Sequence, residues 1–365
     1  MEPQLLTPCL SAGTNLTMEG ELLPVLEFHT SASLATVILR TLSIVIAFLL
    51  IITSNFVNLI VLPRTNCFGE VTQFLLMSLA VEDFLIGVCL AFAIWPAVAD
   101  FWPFGDAVCK IIGSLGTLLA AASSLTLMCI SVDRFLAVTR PLRYVTIVTL
   151  KRARFVITAV WLVCFIFIAF VDTATWPPLQ NIEYDTVLCN CIVKFFDDRV
   201  FPRALAAAAV CVVLPSIIIT ATNAKLLVVT IAHAKRIDAL PRNHNFNDGG
   251  RRISSREFKA VRTTLVITGI YYMAWAPFLA TQIYLAFSSV AIADWLHFLS
   301  GYLVLSNSWW NVFIYSFMNK SFRKTLADFV AAKCACYQRS NDGEMMPTQA
   351  FVVTDGRAIS TPQVS

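Results

Sequence analysis

The chain has 365 residues, 58% of them hydrophobic and only 14% charged, with a formal net charge of +4 and a mean hydropathy of +0.72. Soluble domains carry about 25% charged residues, so the composition excludes a water-soluble fold and predicts an all-α membrane protein. The small positive charge reflects loops on one side and suggests no nucleic-acid partner.

Apolar runs of about 20 residues, the length that crosses a bilayer, recur seven times, near 38–62, 72–98, 109–133, 154–174, 204–231, 262–287 and 295–317. The expected architecture is one seven-transmembrane helix bundle. It divides into an outer segment 1–37, the bundle 38–317, an amphipathic helix 318–336 and a disordered tail 337–365. With the amino end outside, 22 of the 27 Lys and Arg face inward and only Arg40, Lys110, Lys194, Arg199 and Arg203 face outward. Basic loops stay cytoplasmic, so the N-terminus is expected outside and the C-terminus inside. The first 39 residues carry no Lys or Arg, which leaves no basic region for a cleavable signal peptide.

Taken in order, Asn15-Leu16-Thr17 is a glycosylation sequon on the outer side. The first span holds Asn55. The second holds adjacent carboxylates, Glu82 and Asp83, which point about 100° apart on a helix; Asp83 is expected to face the bundle, and Glu82 to sit at a helix seam. Trp102-Pro103-Phe104-Gly105 forms an aromatic turn before Cys109. Cys9, Cys109, Cys189 and Cys191 fall in the oxidising compartment. Cys109 is expected to pair with Cys189 or Cys191, leaving the other free to bridge to Cys9. The third span ends in Asp133-Arg134-Phe135, a charge pair at the edge of the apolar core, where ionisable residues are usually functional, and Pro141 follows. Trp161 lies in the fourth span and Pro215 in the fifth, where it predicts a kink.

The loop before the sixth span is basic and flexible, with Gly249-Gly250-Arg251-Arg252. That span opens with Arg256-Glu257 and later reads Tyr271-Tyr272-Met273-Ala274-Trp275-Ala276-Pro277; the seventh reads Ser306-Asn307-Ser308-Trp309-Trp310-Asn311-Val312-Phe313-Ile314-Tyr315. Beyond it, Lys320 to Ala332 alternates basic and apolar residues at helical spacing, as in a helix lying on lipid, and Cys334 and Cys336 are palmitoylation candidates.

The ordered set Asn55, Leu79-Ala80-x-x-Asp83, Trp102-x-Phe104-Gly105, Cys109, Asp133-Arg134-Phe135, Trp161, Pro215, Trp275-x-Pro277, Asn311-x-x-x-Tyr315 and Phe322-Arg323 resembles the rhodopsin-like (class A) G-protein-coupled receptors, with weaker similarity to orphan receptors near the amine-receptor branch. The resemblance implies a plasma-membrane receptor for heterotrimeric G proteins, with arrestin and a receptor kinase acting at the C-terminal tail. Arg134 would pair with Asp133 and Glu257 and hold the inner mouth shut. Asp83, Ser123, Asn307 and Asn311, with Asn55 nearby, resemble the family's sodium pocket, with Asp83 the metal-binding carboxylate; no other cofactor is implied. Trp275 and Tyr271 would floor the ligand cavity.

Three departures from the pattern stand out: Val312 replaces the proline usual in the seventh span, Asn223 replaces the tyrosine that usually meets Tyr315, and Phe135 replaces a tyrosine. Gly116 stands where amine receptors carry an aspartate, and Leu305 where opsins carry the retinal lysine, so a retinal pigment is excluded. The remaining expected lining is Gly116, Thr117, Ala120, Ala207, Cys211, Phe278, Leu279, Gly301 and Leu305, with Gln282 and His297 near the mouth. Such a lining suits a small or apolar extracellular ligand; alternatively the second outer loop fills the cavity and gives basal activity. Scattered histidines (His29, His233, His244, His297) exclude a multi-histidine metalloenzyme, and no inverted repeat suggests a transporter. The competing expectation is a receptor-like scaffold or heteromer partner that does not couple to G proteins.

Overall fold

The computed structural model describes residues 33–65, 68–175, 178–195, 199–238, 248–288 and 290–341; within these, the side chains of 230, 233–261, 263–264, 286 and 332–341 lie outside the description. Its helices are α1 (Leu34–Val61), α2 (Glu70–Ala91), α3 (Ile94–Ala99), α4 (Asp106–Thr139), α5 (Pro141–Ile147), α6 (Leu150–Asp172), α7 (Phe201–Ala208), α8 (Leu214–Asp238), α9 (Asp248–Phe287), α10 (Asp294–Met318) and α11 (Lys320–Asn341). Among the described residues five helical stretches are long and apolar enough to cross a membrane: Leu34–Arg64, Glu70–Ala99, Asp106–Thr139, Leu150–Asp172 and Phe201–Val229. α9 and α10 complete the expected seven. α10 is less apolar because it carries Ser300, Ser306, Asn307, Ser308 and Asn311.

Local sequence explains several boundaries. Ser33 caps α1 by accepting the backbone N–H of Thr36, and Thr149 caps α6 through that of Arg152. Pro141 stands at the start of α5, where its missing N–H costs nothing. The first span begins four residues before the apolar run at 38, because Leu34 to Val37 extend it from the cap. The kink expected at Pro215 takes the form of a π-helical turn, Ala209–Val213, just upstream. Such turns accommodate a proline that cannot donate to the preceding ladder and often mark functional sites.

α4 is the central post. It packs against α2, α6, α8, α9 and the outer loop, while α1 bridges α2 and α10. The inner half of the bundle closes over an apolar cluster that includes Leu79, Leu127, Ile130, Ile219, Ile267, Tyr271, Val312 and Tyr315. α11 is keyed into that cluster rather than only resting on lipid: Phe322 is fully buried and meets the Tyr315 ring edge-on at 5.8 Å. Val312 is likewise buried there and leaves no proline kink in α10.

One element was not expected. The second outer loop carries an antiparallel hairpin, β1 (Ile182–Asp185) and β2 (Asn190–Val193), with Ile182 opposite Val193 and Tyr184 opposite Cys191. Asp185 shapes its turn by accepting the backbone N–H groups of Val187 and Leu188 at 2.9 and 2.8 Å. Lys194 and Glu183 pair across its exposed face. Four-residue strands next to long apolar helices leave almost no alternation to read, so the sequence pattern concealed them.

Candidate functional site

The hairpin is tied down by the disulfide Cys109–Cys191, with the two Cα atoms 5.3 Å apart. This resolves the choice left open by spacing in favour of Cys191. Cys189 is a buried free thiol, its backbone in the left-handed region, and burial pushes its pKa up to about 11. Cys9, the partner expected for it, lies outside the described residues, as does Asn15.

Beneath the hairpin is a cavity of ≈ 530 Å³. It collects Gly116, Thr117 and Ala120 from α4, Ala207 from α7, Cys211 from the π-helical turn, Trp275, Phe278, Leu279 and Gln282 from α9, and Gly301 and Leu305 from α10. No Asp, Glu, Lys, Arg or His side chain lines it among the described residues. His297, expected near the mouth, is not among the residues that line the cavity; it sits half-buried at the outer start of α10. Tyr271 does not share the floor with Trp275 either. One helical turn below it, with ring centroids 5.9 Å apart, Tyr271 is buried in the inner cluster beside a small void lined by Leu127, Ile130 and Ile267.

The hairpin roofs the cavity with Leu188, Asn190, Cys191, Ile192 and Val193. The fit is close. A Cβ at Gly301 would lie 2.7 Å from Leu188 Cδ2, and one at Gly113 would lie 2.5 Å from Ile182 Cγ2. The Tyr302 hydroxyl donates to the Leu188 carbonyl at 3.1 Å, fastening the roof to α10. Nothing in the residue pattern marked Leu188 or Tyr302 for this role.

Ser123, Asn307 and Ser308 reach the bottom of the cavity. Below them Asp83, fully buried, accepts from Asn311 Nδ2 at 3.0 Å and from the Ser123 hydroxyl at 3.4 Å, with the Ser308 side chain beside it. Asn55 joins this group indirectly by donating to the Ser308 carbonyl at 2.9 Å. Asn307 lies at the cavity floor, and its neighbour Ser308, absent from the expected set, is the one that adjoins Asp83. A carboxylate with two hydroxyls is a set of hard oxygen donors, the chemistry that suits sodium rather than a soft metal. Among the described residues no three His, Cys, Asp or Glu side chains cluster as a transition-metal site would require. Glu82 faces the other way, as the helix geometry demands: fully buried at the seam of α2 and α4, its Oε1 accepts from Thr126 at 2.9 Å.

At the inner end, Arg134 and Asp133 form an ion pair at 2.6 Å. Thr72 on α2 donates to Asp133 Oδ2 at 2.8 Å and also meets the Arg134 guanidinium. Tyr144, on the short helix α5, donates to the other oxygen, Oδ1, at 2.6 Å. Burial and the adjacent Asp133 carboxylate push the Tyr144 phenol up to about 12, so it remains a donor. The side chain of Glu257, the second partner expected for Arg134, lies outside the described residues, as do those of Cys334 and Cys336. Asn223 and Tyr315 are not brought together: Asn223 donates to Thr268 Oγ1 at 2.6 Å, while Tyr315 packs between Phe68 and Phe322. An amide is too short to span the inner mouth as a tyrosine would.

The family model "7 transmembrane receptor (rhodopsin family)" matches residues 54–315. The chain is 28% identical over 313 residues to the 5-hydroxytryptamine receptor 4 of Rattus norvegicus, covering 80% of this chain and 75% of that one. It is 28% identical over 293 residues to trace amine-associated receptor 9 of Homo sapiens (77% and 82% covered) and 27% identical over 302 residues to the histamine H2 receptor of Rattus norvegicus (81% of each). The crystal structure of squid rhodopsin superposes with a TM-score of 0.73 at 18% identity, over 87% of this chain and 94% of that one.

Proposed function

We propose, for a chain that belongs to the rhodopsin family of seven-transmembrane receptors, that it is a plasma-membrane receptor carrying a signal from its outer cavity to a heterotrimeric G protein at its inner face. The observation that carries this reading is the bonded Asp133–Arg134 pair at the inner end of the same helix, α4, that lines the cavity at Gly116, Thr117 and Ala120. A ligand that favours one packing of α4, α9 and α10 shifts the population of two bundle states, and the inner pair opens or closes accordingly. In this reading the N-terminus is outside and glycosylated at Asn15, and Cys334 and Cys336 are palmitoylated. Arrestin and a receptor kinase act on the tail. Asp83, with Ser123 and Ser308, holds a sodium ion that favours the closed state, and Glu257 completes the restraint on Arg134.

The relatives named for amines suggest an amine ligand; the cavity argues against it. An ammonium buried there would lose its hydration with no carboxylate in return, which costs several kcal/mol. A small apolar ligand fits better. The close packing of Leu188 over Gly301 also supports a second source of signal, in which the roof itself occupies the outer cavity and sustains basal activity.

The test is expression in cells with second-messenger readouts for each G-protein class, comparing the intact chain with Arg134→Ala and Glu257→Ala at matched surface level. A signal that Arg134→Ala abolishes and Glu257→Ala raises supports the reading. Silence of the intact chain in every class, with or without added lipids and amines, favours the scaffold or heteromer role, which the separation of Asn223 from Tyr315 also motivates.

A further inference from the structure

The wall of the cavity is not uniform. On α2, α4 and α6 the lining side chains of Cys89, Ile112 and Val171 are buried. On α7 and the outer half of α9, Leu205, Ile283 and Phe287 line the same cavity while remaining 59%, 57% and 82% exposed. Facing the cavity therefore does not itself expose a side chain; these three also border the outside. The helix contacts account for this. α7 leans on α6 and the π-helical turn, whereas α9 leans on α8 and α10. Between them, the run Ala206-Ala207-Ala208-Ala209 offers no side chain long enough to close the seam.

Entry from above is obstructed by the hairpin, which is pinned by Cys109–Cys191 on one side and by Tyr302 on the other. Entry from the side meets only apolar groups. In a bilayer the surface around Leu205, Ile283 and Phe287 contacts acyl chains, where no water has to be displaced. We infer that the seam between α7 and the outer half of α9 is a lateral portal through which an uncharged, single-chain lipid of the adjoining leaflet reaches the cavity. The inference rests on reading that cavity as the ligand site.

The occupant follows from the lining. A charged headgroup would enter a space without a countercharge and lose its hydration, which leaves uncharged lipids. A volume of ≈ 530 Å³ lies within the range that encloses one small ligand, and Trp275 is among the residues that line it. One acyl chain with a compact hydroxyl or ester head fills it; Thr117 and Gln282 on the wall and Asn190 in the roof offer polar side chains to such a head.

Cys211, a buried thiol on the cavity wall, supplies the probe. The intact chain is placed in phosphatidylcholine nanodiscs and treated with dodecylmaleimide, which partitions into lipid, or with a sulfonated maleimide confined to water, and adducts at Cys211 are followed by mass spectrometry. Dodecylmaleimide is expected to react about tenfold faster or more, the factor that a charge-desolvation cost of only ~1.4 kcal/mol would produce. Leu205→Trp with Ile283→Trp should slow it severalfold, and Leu205→Ala with Ile283→Ala should speed it, so that a misfolded tryptophan variant cannot imitate the full pattern. Monoolein in the disc should protect Cys211, while lysophosphatidic acid at the same fraction should not.

Faster reaction with the sulfonated reagent, no reaction with dodecylmaleimide, or indifference to both pairs of substitutions overturns the portal; equal protection by the charged lipid overturns the ligand class. None of these readouts passes through a G protein. A chain silent in every second-messenger assay yet labelled in this pattern loses the signalling reading and keeps the portal, and the converse result does the reverse.

Discussion

The hydroxyl of Tyr144 donates to Oδ1 of Asp133 at 2.6 Å while Arg134 holds Oδ2 at the same distance. A residue of the loop after α4 thus fixes the carboxylate that pairs with Arg134, the arginine proposed above as the switch. Removing the hydroxyl in Tyr144→Phe leaves the ring and frees one carboxylate oxygen. At this partly hydrated position the loss is about 1 kcal/mol, below the range for a buried charged bond. Basal second-messenger output at matched surface level should rise about fivefold. A basal level equal to that of the unmodified chain would show that Tyr144 does not restrain the pair.

Asp83 is the carboxyl centre of the polar group with Ser123, Ser308 and Asn311. Asp83→Asn keeps the shape and removes the charge that would hold a cation. Ligand binding or basal signalling that depends on sodium concentration in the intact chain should lose that dependence in the variant, with potassium as the ionic-strength control. Full retention of the sodium response would remove Asp83 from the role.

Gly116 faces open space, and a Cβ added there meets nothing within 4 Å. Gly116→Asp therefore introduces a carboxylate without a clash, at the place where the resemblance implies that amine receptors carry theirs. Binding of labelled 5-hydroxytryptamine should strengthen by about tenfold or more, since a buried ion pair that satisfies an ammonium gives upwards of ~1.5 kcal/mol. Saturation binding on membranes measures it. No gain, with the variant folded and at the surface, would mean that features other than the missing charge exclude amines.

Gly113 lies under the hairpin, where an added Cβ would stand 2.5 Å from Ile182 Cγ2 and 3.3 Å from the Cys191 carbonyl oxygen. The isoleucine tip can rotate; the carbonyl, anchored by the disulfide, cannot move freely. Gly113→Ala should destabilise the purified protein by about 1–3 kcal/mol through overpacking, seen as a lower midpoint in thermal unfolding. An unchanged midpoint would indicate that the roof is looser than this packing implies.

The spans, the inner charge pair and most of the cavity lining were legible because hydropathy and helical spacing act over twenty or more residues. Asp133, Arg134, Gly116 and Cys211 need only correct helical phase to be placed. What escaped depends on contacts between distant segments. Thr72 and Tyr144 reach Asp133 from another helix and from a loop. Ser308 adjoins Asp83 in place of the expected Asn307, a difference of one residue in the rotation of α10. Tyr271 and Trp275, one turn apart on one face, still fall on opposite sides of the cavity floor, because the larger indole fills the level at which the floor closes. The buried pair Arg40–Asp100, at 2.8 Å, joins α1 to the end of α3 and carries no local signature.

Two polar clasps join α8 to α9. Asn223 holds Thr268 at 2.6 Å, and about one turn of α9 nearer the outside the Tyr272 hydroxyl bonds both Thr220, at 2.5 Å, and the Ser216 carbonyl, at 2.7 Å. Within an apolar medium, separating either clasp leaves donors and acceptors with no replacement. In the signalling proposed above, the two helices would therefore move like the leaves of one door: an outward swing of α9 would be easiest with α8 travelling with it, and the opening of the inner mouth would be set by how far the pair can pivot away from α4.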